Sequence, residues 1–186
     1  MDADLVTRAQ QGDEQAFASI VEAIGDRYLS VAQRILYDAQ LAEDATQQAL
    51  VKLWRHLPGL RDPARFDAWS YRLLVKACYS EGSRRRRWLS DVSLRPFDQP
   101  TASDDVATVI DRDQLERGLR RISVDHRTVL VLRYYVDLPL DQVAAALDVP
   151  FGTVSSRLNR AHEALRGALE ADERTSPYPS PSEATR

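Results

Sequence analysis

Thr153, Ser155, Ser156, Asn159 and Arg160 share one side of a helical period. Each can hydrogen-bond to a base edge or a phosphate, so the chemistry they suit is recognition. The opposite side carries Val154, Leu158, Ala161 and Leu165 at i, i+4, i+7 and i+11, an apolar stripe for packing. A second loaded stretch is Arg84-Arg85-Arg86-Arg87-Trp88, with Arg72, Lys76, Tyr79 and Ser80 ahead of it. Guanidinium groups beside aromatic rings suit single-stranded nucleic acid, whose bases stack on the planes while positive charge follows the backbone. The run reads equally as the solvated basic end of a helix, complementing its macrodipole. Enzyme chemistry has little to start from. His56, His126 and His162 are far apart without metal-ligand spacing, and Cys78 stands alone as a small buried or half-buried residue. No GxxxxGK[ST] loop occurs. No catalytic residue, metal or cofactor is expected.

The elements that must position these residues are all helical by their period. Leu140, Val143, Ala144 and Leu147 form one apolar stripe. Asp148-Val149-Pro150 then ends that helix, because proline disfavours α geometry at Val149 while its own φ suits the start of the next. Small Ala144 and Gly152 are expected to let the two helices cross closely. The pair reads as a helix-turn-helix, whose second helix lies in a major groove. A helical hairpin that only packs is the plainer reading, but its outer face would usually carry Glu and Lys pairs, not a polar, uncharged-to-basic set.

Toward the N-terminus, Asp13 is a good N-cap for a helix burying Ala16, Phe17, Ile20, Val21 and Ile24, interrupted at Gly25 and Asp26. A second helix is expected over 28–37 and a third over 42–57, the latter with Ala45, Ala49, Leu50, Leu53, Trp54 and Leu57 inward. Asp44, Gln47, Gln48, Val51 and Lys52 face outward there, and an apolar Val51 among glutamines can mark a partner surface. A turn-rich loop at 58–63 precedes a fourth helix with Phe66, Trp69, Leu73, Leu74 and Ala77 inward. Periodicity vanishes from 89 to about 108, an acidic linker too long to sit comfortably inside one compact domain. Val109, Ile110, Leu115, Leu119 and Ile122 then share a helix, and a following helix buries Val129, Leu130 and Leu132. The tail from 171 alternates Pro and Ser and should be disordered. The fold class is all-α, in two small domains.

The chain of 186 residues is 44% apolar and 28% charged, ordinary for a globular protein, with a net charge of −3. That sign looks wrong for a nucleic-acid binder until its distribution is considered. Residues 61–88 carry eight basic and three acidic side chains, net +5, and residues 151–166 are +2. Residues 1–60 and 89–118 are each −4. Local sign is what attracts phosphate. No apolar run approaches the ~20 residues that span a bilayer, and the acidic start is the reverse of a signal peptide, so a cytoplasmic protein is expected.

Three segments carry a family likeness: AEDATQQALVKLWRHL, RFDAWSYRLLVKACYSEGSRRRR and VLVLRYYVDLPLDQVAAALDVPFGTVSSRLNRAHEALR. In this order they resemble a bacterial RNA polymerase sigma factor of the extracytoplasmic-function (ECF) group of the sigma-70 family. The resemblance implies a sigma domain 2 at 10–88, an acidic linker at 89–109 and a sigma domain 4 at 110–168. It implies core RNA polymerase and promoter DNA as partners, and an anti-sigma factor that holds the two domains inactive. Asp44, Gln47, Gln48 and Val51 would dock on the β′ clamp. Leu60 and Arg61 would line the pocket for an extruded −10 base, while Arg72, Lys76, Ser80, Arg84 and Arg85 face the strand. Ser155, Ser156, Asn159 and Arg160 would read the −35 duplex, with Arg133, Thr153 and Arg157 toward its backbone. The chain departs from the pattern at Lys76, where Asn is frequent, at Ser80 and Glu81, where Asp is, and at Ser155, where a basic residue is. These departures bear on promoter preference.

With no nucleotide-hydrolysing loop, binding energy must offset promoter melting, which costs a few kcal/mol per unstacked step. Capture of one strand by the +5 segment can contribute it. The acidic remainder predicts weak promoter binding by the chain without polymerase. Two other readings use the same residues: a dimeric helix-turn-helix regulator with residues 1–88 as a sensor, and a helical adaptor in which the arginines are merely solvated. The first predicts half-sites about one helical turn apart and has no use for a basic-aromatic island outside the hairpin.

Overall fold

The computed structural model describes residues 1–92 and 108–175, and every regular element among them is helical. Aspartates set the starts in the first half. Asp2, Asp13 and Asp38 stand in extended backbone and accept from the amides of Asp4, Ala16 and Leu41, capping α1 (Ala3–Gln10), α2 (Glu14–Leu36) and α3 (Ala39–His56). Helix α1 has no counterpart in the sequence reading. It seats itself by burying Val6 and Ala9.

The expected interruption at Gly25 and Asp26 does not occur, and α2 is one helix of 23 residues. Its stripe of Ile20, Ile24, Tyr28, Val31 and Ile35 is buried throughout. An interior glycine costs about 1 kcal/mol, while each large apolar side chain buried contributes about 1.5–3. Packing wins. Helix α3 begins three residues before the expected position because Asp38 supplies the cap. Ala42, Ala45, Ala49 and Leu53 form its buried stripe. Trp54, expected inward, is 48% exposed, since one residue beyond Leu53 it is turned roughly 100° from that stripe. Its ring lies edge-on against Phe17, centroids 4.5 Å apart.

Two single turns at Leu57–Gly59 and Pro63–Arg65 lead into α4 (Phe66–Val92), which passes through Gly82 and keeps the arginine run helical. In the second half α5 (Thr108–Arg121) precedes α6 (Val124–Leu130), capped by Ser123 and continued by a π-helical turn at Val131–Tyr135. Helices α7 (Leu140–Leu147) and α8 (Phe151–Thr175) complete it. Residues 93–107 and 176–186 lie outside the described residues. The expected linker is therefore seen only at its ends, in α4 and α5, and the expected tail only at its start, which is still helix α8.

The close helix crossing is not where small residues suggested. A Cβ at Gly152 would meet nothing within 4 Å, whereas one on Gly118 would lie 2.8 Å from Leu169 Cδ2 and 3.1 Å from Leu165 Cδ1. Gly118 thus lets α5 lie against α8. The α7–α8 turn closes instead through the backbone, Val149 N–H donating to the Ala144 carbonyl at 3.1 Å with Asp148 left-handed at φ 60°. The two halves share one apolar core, with α7 lying on α4 and α6 against α2.

Urea denaturation should separate the two glycines. Gly25→Ala, in open space inside a helix, is expected to stabilise by about 0.5–1 kcal/mol. Gly118→Ala is expected to destabilise by about 1 kcal/mol, the overpacking outweighing the gain in helix propensity.

Candidate nucleic-acid interface

Charge on α4 comes from the spacing of its basic residues. Arg72 and Lys76 are four apart and so occupy one face, one turn above the other. Both reach across to Asp148 in the α7–α8 turn: Lys76 Nζ lies 2.9 Å from Oδ2 and Arg72 Nη1 3.4 Å from Oδ1. Farther along, Arg84 pairs with Glu81 at 2.6 Å and with Asp44 at 3.5 Å, and Arg85 pairs with Asp38. Four of the cations expected to face the −10 strand therefore meet carboxylates of the chain itself. Ser80 and Arg61 are exposed, and Leu60 is half-buried.

The loop bearing Leu60 and Arg61 is tied down from a direction the sequence did not suggest. Gln10, the last residue of α1, donates through Nε2 to the carbonyls of Leu60 at 2.6 Å and Leu57 at 3.0 Å. Asp62 caps the next turn by accepting from Ala64 N–H. A glutamine at the end of an unrecognised helix left no signal for this role.

The residues expected to meet polymerase divide in two. Gln47 and Val51 are exposed on α3, Val51 at 44%. Exposed Trp54 lies three residues from Val51, extending an apolar strip with Phe17 beneath it. Asp44 and Gln48 are half-buried and engaged with α4. Asp44 holds Arg84, and Gln48 donates to Glu81, whose carboxylate is only 1% exposed. The same network thus joins the outer part of α3 to the basic end of α4.

In the helix-turn-helix, α8 buries Val154, Leu158 and Ala161 against the rest of its module. Asn159 and Arg160 are exposed, and Thr153, Ser155, Ser156 and Arg157 are half-buried. Ser156 Oγ donates back to the Thr153 carbonyl at 3.1 Å, so its remaining hydrogen-bonding capacity is as an acceptor. Arg133, expected at the DNA backbone, donates through Nη1 to the Leu138 carbonyl at 3.1 Å and lies 3.6 Å from Asp137. It braces the entry to α7.

Two arginines that the sequence did not single out tie the halves together. Arg127 on α6 is buried and donates to the Ile35 carbonyl at 2.8 Å, in the last turn of α2, and to Ile122 at 3.1 Å. A cation at that helix end also meets the negative pole of the macrodipole. Its guanidinium stacks on Tyr37, 4.7 Å from the ring centre. Arg27 on α2 donates to the Val136 carbonyl at 2.9 Å. Tyr79, grouped with the basic run as an aromatic ring for stacking on bases, is instead turned toward the second half. Burial there pushes its hydroxyl up to about 12, with Thr128, Asp125 and Arg157 around it.

Between the halves opens a cleft of about 860 Å³ lined by Tyr37, Leu115, Leu119, Val131, Tyr134, Tyr135 and Leu165, with Arg34 and Arg120 at its walls. Leu115, expected in the core, faces it and is 44% exposed. Burial raises the Cys78 thiol to about 12, so it is unreactive at neutral pH. Among the described residues no His, Cys, Asp and Glu grouping could hold a metal ion, and no helix is long and apolar enough to cross a membrane.

Two helical modules, one with a helix-turn-helix and the other with a basic, aromatic-lined helix, define a DNA-binding architecture of the transcription-factor class. The Sigma-70 region 2 family matches residues 20–88, and the Sigma-70 region 4 family matches residues 118–167. The chain is 32% identical over 181 residues to the RNA polymerase sigma-H factor of Pseudomonas aeruginosa, covering 91% of this chain and 94% of that protein. It is 30% identical to the ECF RNA polymerase sigma-E factor of Escherichia coli K12, covering 89% and 93%. The sigma factor RpoE of Bartonella quintana, solved with the anti-sigma factor NepR, shares the fold with a TM-score of 0.70 at 22% identity, covering 84% of this chain and 98% of that one. The chain belongs to the sigma-70 family, in its ECF group.

The carboxyls of Asp13, Asp148 and Asp172 are all held below the ordinary 3.8, by the Ala16 amide and Arg8, by Lys76 and Arg72, and by Arg117 and Arg121 respectively. A lowered carboxyl contributes stability that is complete above its unfolded value and lost as pH falls through the folded one. Thermal stability followed by circular dichroism should therefore be insensitive to these pairs from about pH 6 to 8 and lose only a modest part of its value to them below about pH 4, since all three groups lie at the surface.

Proposed function

We propose that this chain is a promoter-specificity subunit that binds core RNA polymerase, reads the −35 and −10 elements and captures one strand of the −10 element to start transcription. The observation that carries the reading is the pairing, in one sigma-family chain, of an exposed Asn159–Arg160 edge on a helix-turn-helix with a second basic helix, α4. Residues 10–88 are the −10 and polymerase module, residues 110–168 the −35 module and residues 89–109 the tether between them. Thr153, Ser155, Ser156, Asn159 and Arg160 face the −35 duplex, with Arg133 and Arg157 nearer its backbone. Leu60 and Arg61 take the extruded −10 base, and Arg72, Lys76, Ser80, Arg84 and Arg85 follow the strand. Asp44, Gln47, Gln48 and Val51 meet the β′ clamp, and exposed Trp54 enlarges that apolar contact.

The protein acts by binding and is not an enzyme. It works in the cytoplasm, at the nucleoid. A third partner is an anti-sigma factor. RpoE of Bartonella quintana was solved with NepR, and CnrH, at a TM-score of 0.66, with the cytosolic domain of CnrY. The apolar cleft between the modules here is open and roomy enough to seat a helical segment of such an inhibitor.

In vitro transcription with purified core on a genomic promoter pool, with the starts mapped, tests the reading. Starts sharing a two-element upstream pattern support it; no initiation above core alone overturns it. Arg160→Ala is expected to lower initiation about tenfold while polymerase affinity stays unchanged, since a good base-edge contact is worth about 1–3 kcal/mol. Trp54→Ala is expected to weaken core binding in a pull-down titration and to spare promoter preference.

A further inference from the structure

Asp148 ends α7 in the left-handed conformation, φ 60°, a position usually taken by glycine or asparagine. A carboxylate there faces the negative pole of its own helix and is locally unfavourable. Nothing in α7 or α8 compensates for it. The compensation comes from the other module, where Lys76 and Arg72 each meet a different oxygen, at 2.9 and 3.4 Å. Two acidic oxygens between two cations one helical turn apart reproduce what a DNA phosphate offers to the same pair.

We propose that Asp148 is a built-in phosphate mimic that closes the free chain, holding the helix-turn-helix over the strand-binding face of α4 until a DNA strand competes for Arg72 and Lys76. The proposal rests on the reading of α4 as the −10 face. The packing agrees with it. Helix α7 lies along α4, and Tyr79, three residues past Lys76, is turned into the second module. The other ties between the modules include hydrogen bonds from Arg127 and Arg27 to carbonyls and stacking of Arg34 on Tyr135, beside the apolar core the two halves share. Asp148 and Lys76 remain half in solvent, so each pair is weak alone and open to exchange. The contact also acts reciprocally, since a module held on α4 cannot take the spacing from it that a −35 and a −10 element impose.

The test uses full-length protein without polymerase. A fluorescent mixed-sequence single-stranded 12-mer reports strand affinity by anisotropy at low salt, and small-angle X-ray scattering reports the maximum dimension. Asp148→Asn keeps a residue that tolerates the left-handed region and removes the charge; Asp148→Gly is the second variant. Both are expected to bind the strand about fivefold tighter than wild type and to give a larger maximum dimension. Glu22→Gln, which removes one exposed negative charge elsewhere, should do neither. In the Asp148→Asn background, Lys76→Gln should erase the gain. Unchanged affinity in both Asp148 variants overturns the proposal, whatever the scattering shows. Permanganate footprinting with core polymerase isolates the underlying reading. If Arg72→Gln with Lys76→Gln opens promoters as wild type does, the −10 assignment of α4 fails and takes the proposal with it. If opening does depend on them, a negative result with the Asp148 variants counts against the latch alone.

Discussion

The structure depends on how one helix carries its positive charge. Residues 61–88 hold eight basic side chains, most of them on α4, and like charges along a helix repel. In the folded chain Asp38 at the cap of α3, Asp44 within it, Glu81 from α4 itself and Asp148 from the α7–α8 turn meet Arg85, Arg84, Arg72 and Lys76. The acidic character of the rest of the chain thereby has a structural purpose. Asp38, Asp44 and Asp148 offset positive charge on α4 in the folded chain, in pairs that stay partly exposed to solvent.

Glu81 differs from the others because it is buried. A buried carboxylate is tolerated only with partners, and Gln48 and Arg84 supply them. Those partners come from the helix proposed to meet polymerase and from the basic end of the helix proposed to meet DNA. Glu81 is thus one acid shared by α3 and the basic end of α4.

The contact between modules adds polar ties to the apolar core they share. Within the first module Ile20, Tyr28, Ile35, Leu53 and Phe66 are fully enclosed. Across the boundary, guanidinium-to-carbonyl and carboxylate-to-cation pairs and the stacking of Arg34 on Tyr135 lie beside apolar packing of α7 on α4 and α6 on α2. The wide cleft beside them leaves part of the boundary unfilled.

Much of this was legible in the amino-acid order alone. The 3.6-residue period gave the helices, Asp13 and Pro150 gave two of their ends, and the polar side of α8 with the arginine run of α4 marked the two candidate surfaces. These are local properties, set by spacing and by single side chains acting on neighbouring backbone. Continuity of α2 through Gly25, the outward turn of Trp54 and the α5–α8 crossing at Gly118 were decided by packing against other helices, which no local window contains. The same holds for Arg127 reaching Ile35 and for Asp148 meeting Lys76, pairs 92 and 72 residues apart. A side chain's type states which partner it can accept; only the closed tertiary structure, by bringing distant segments within a few ångströms, selects the partner it has.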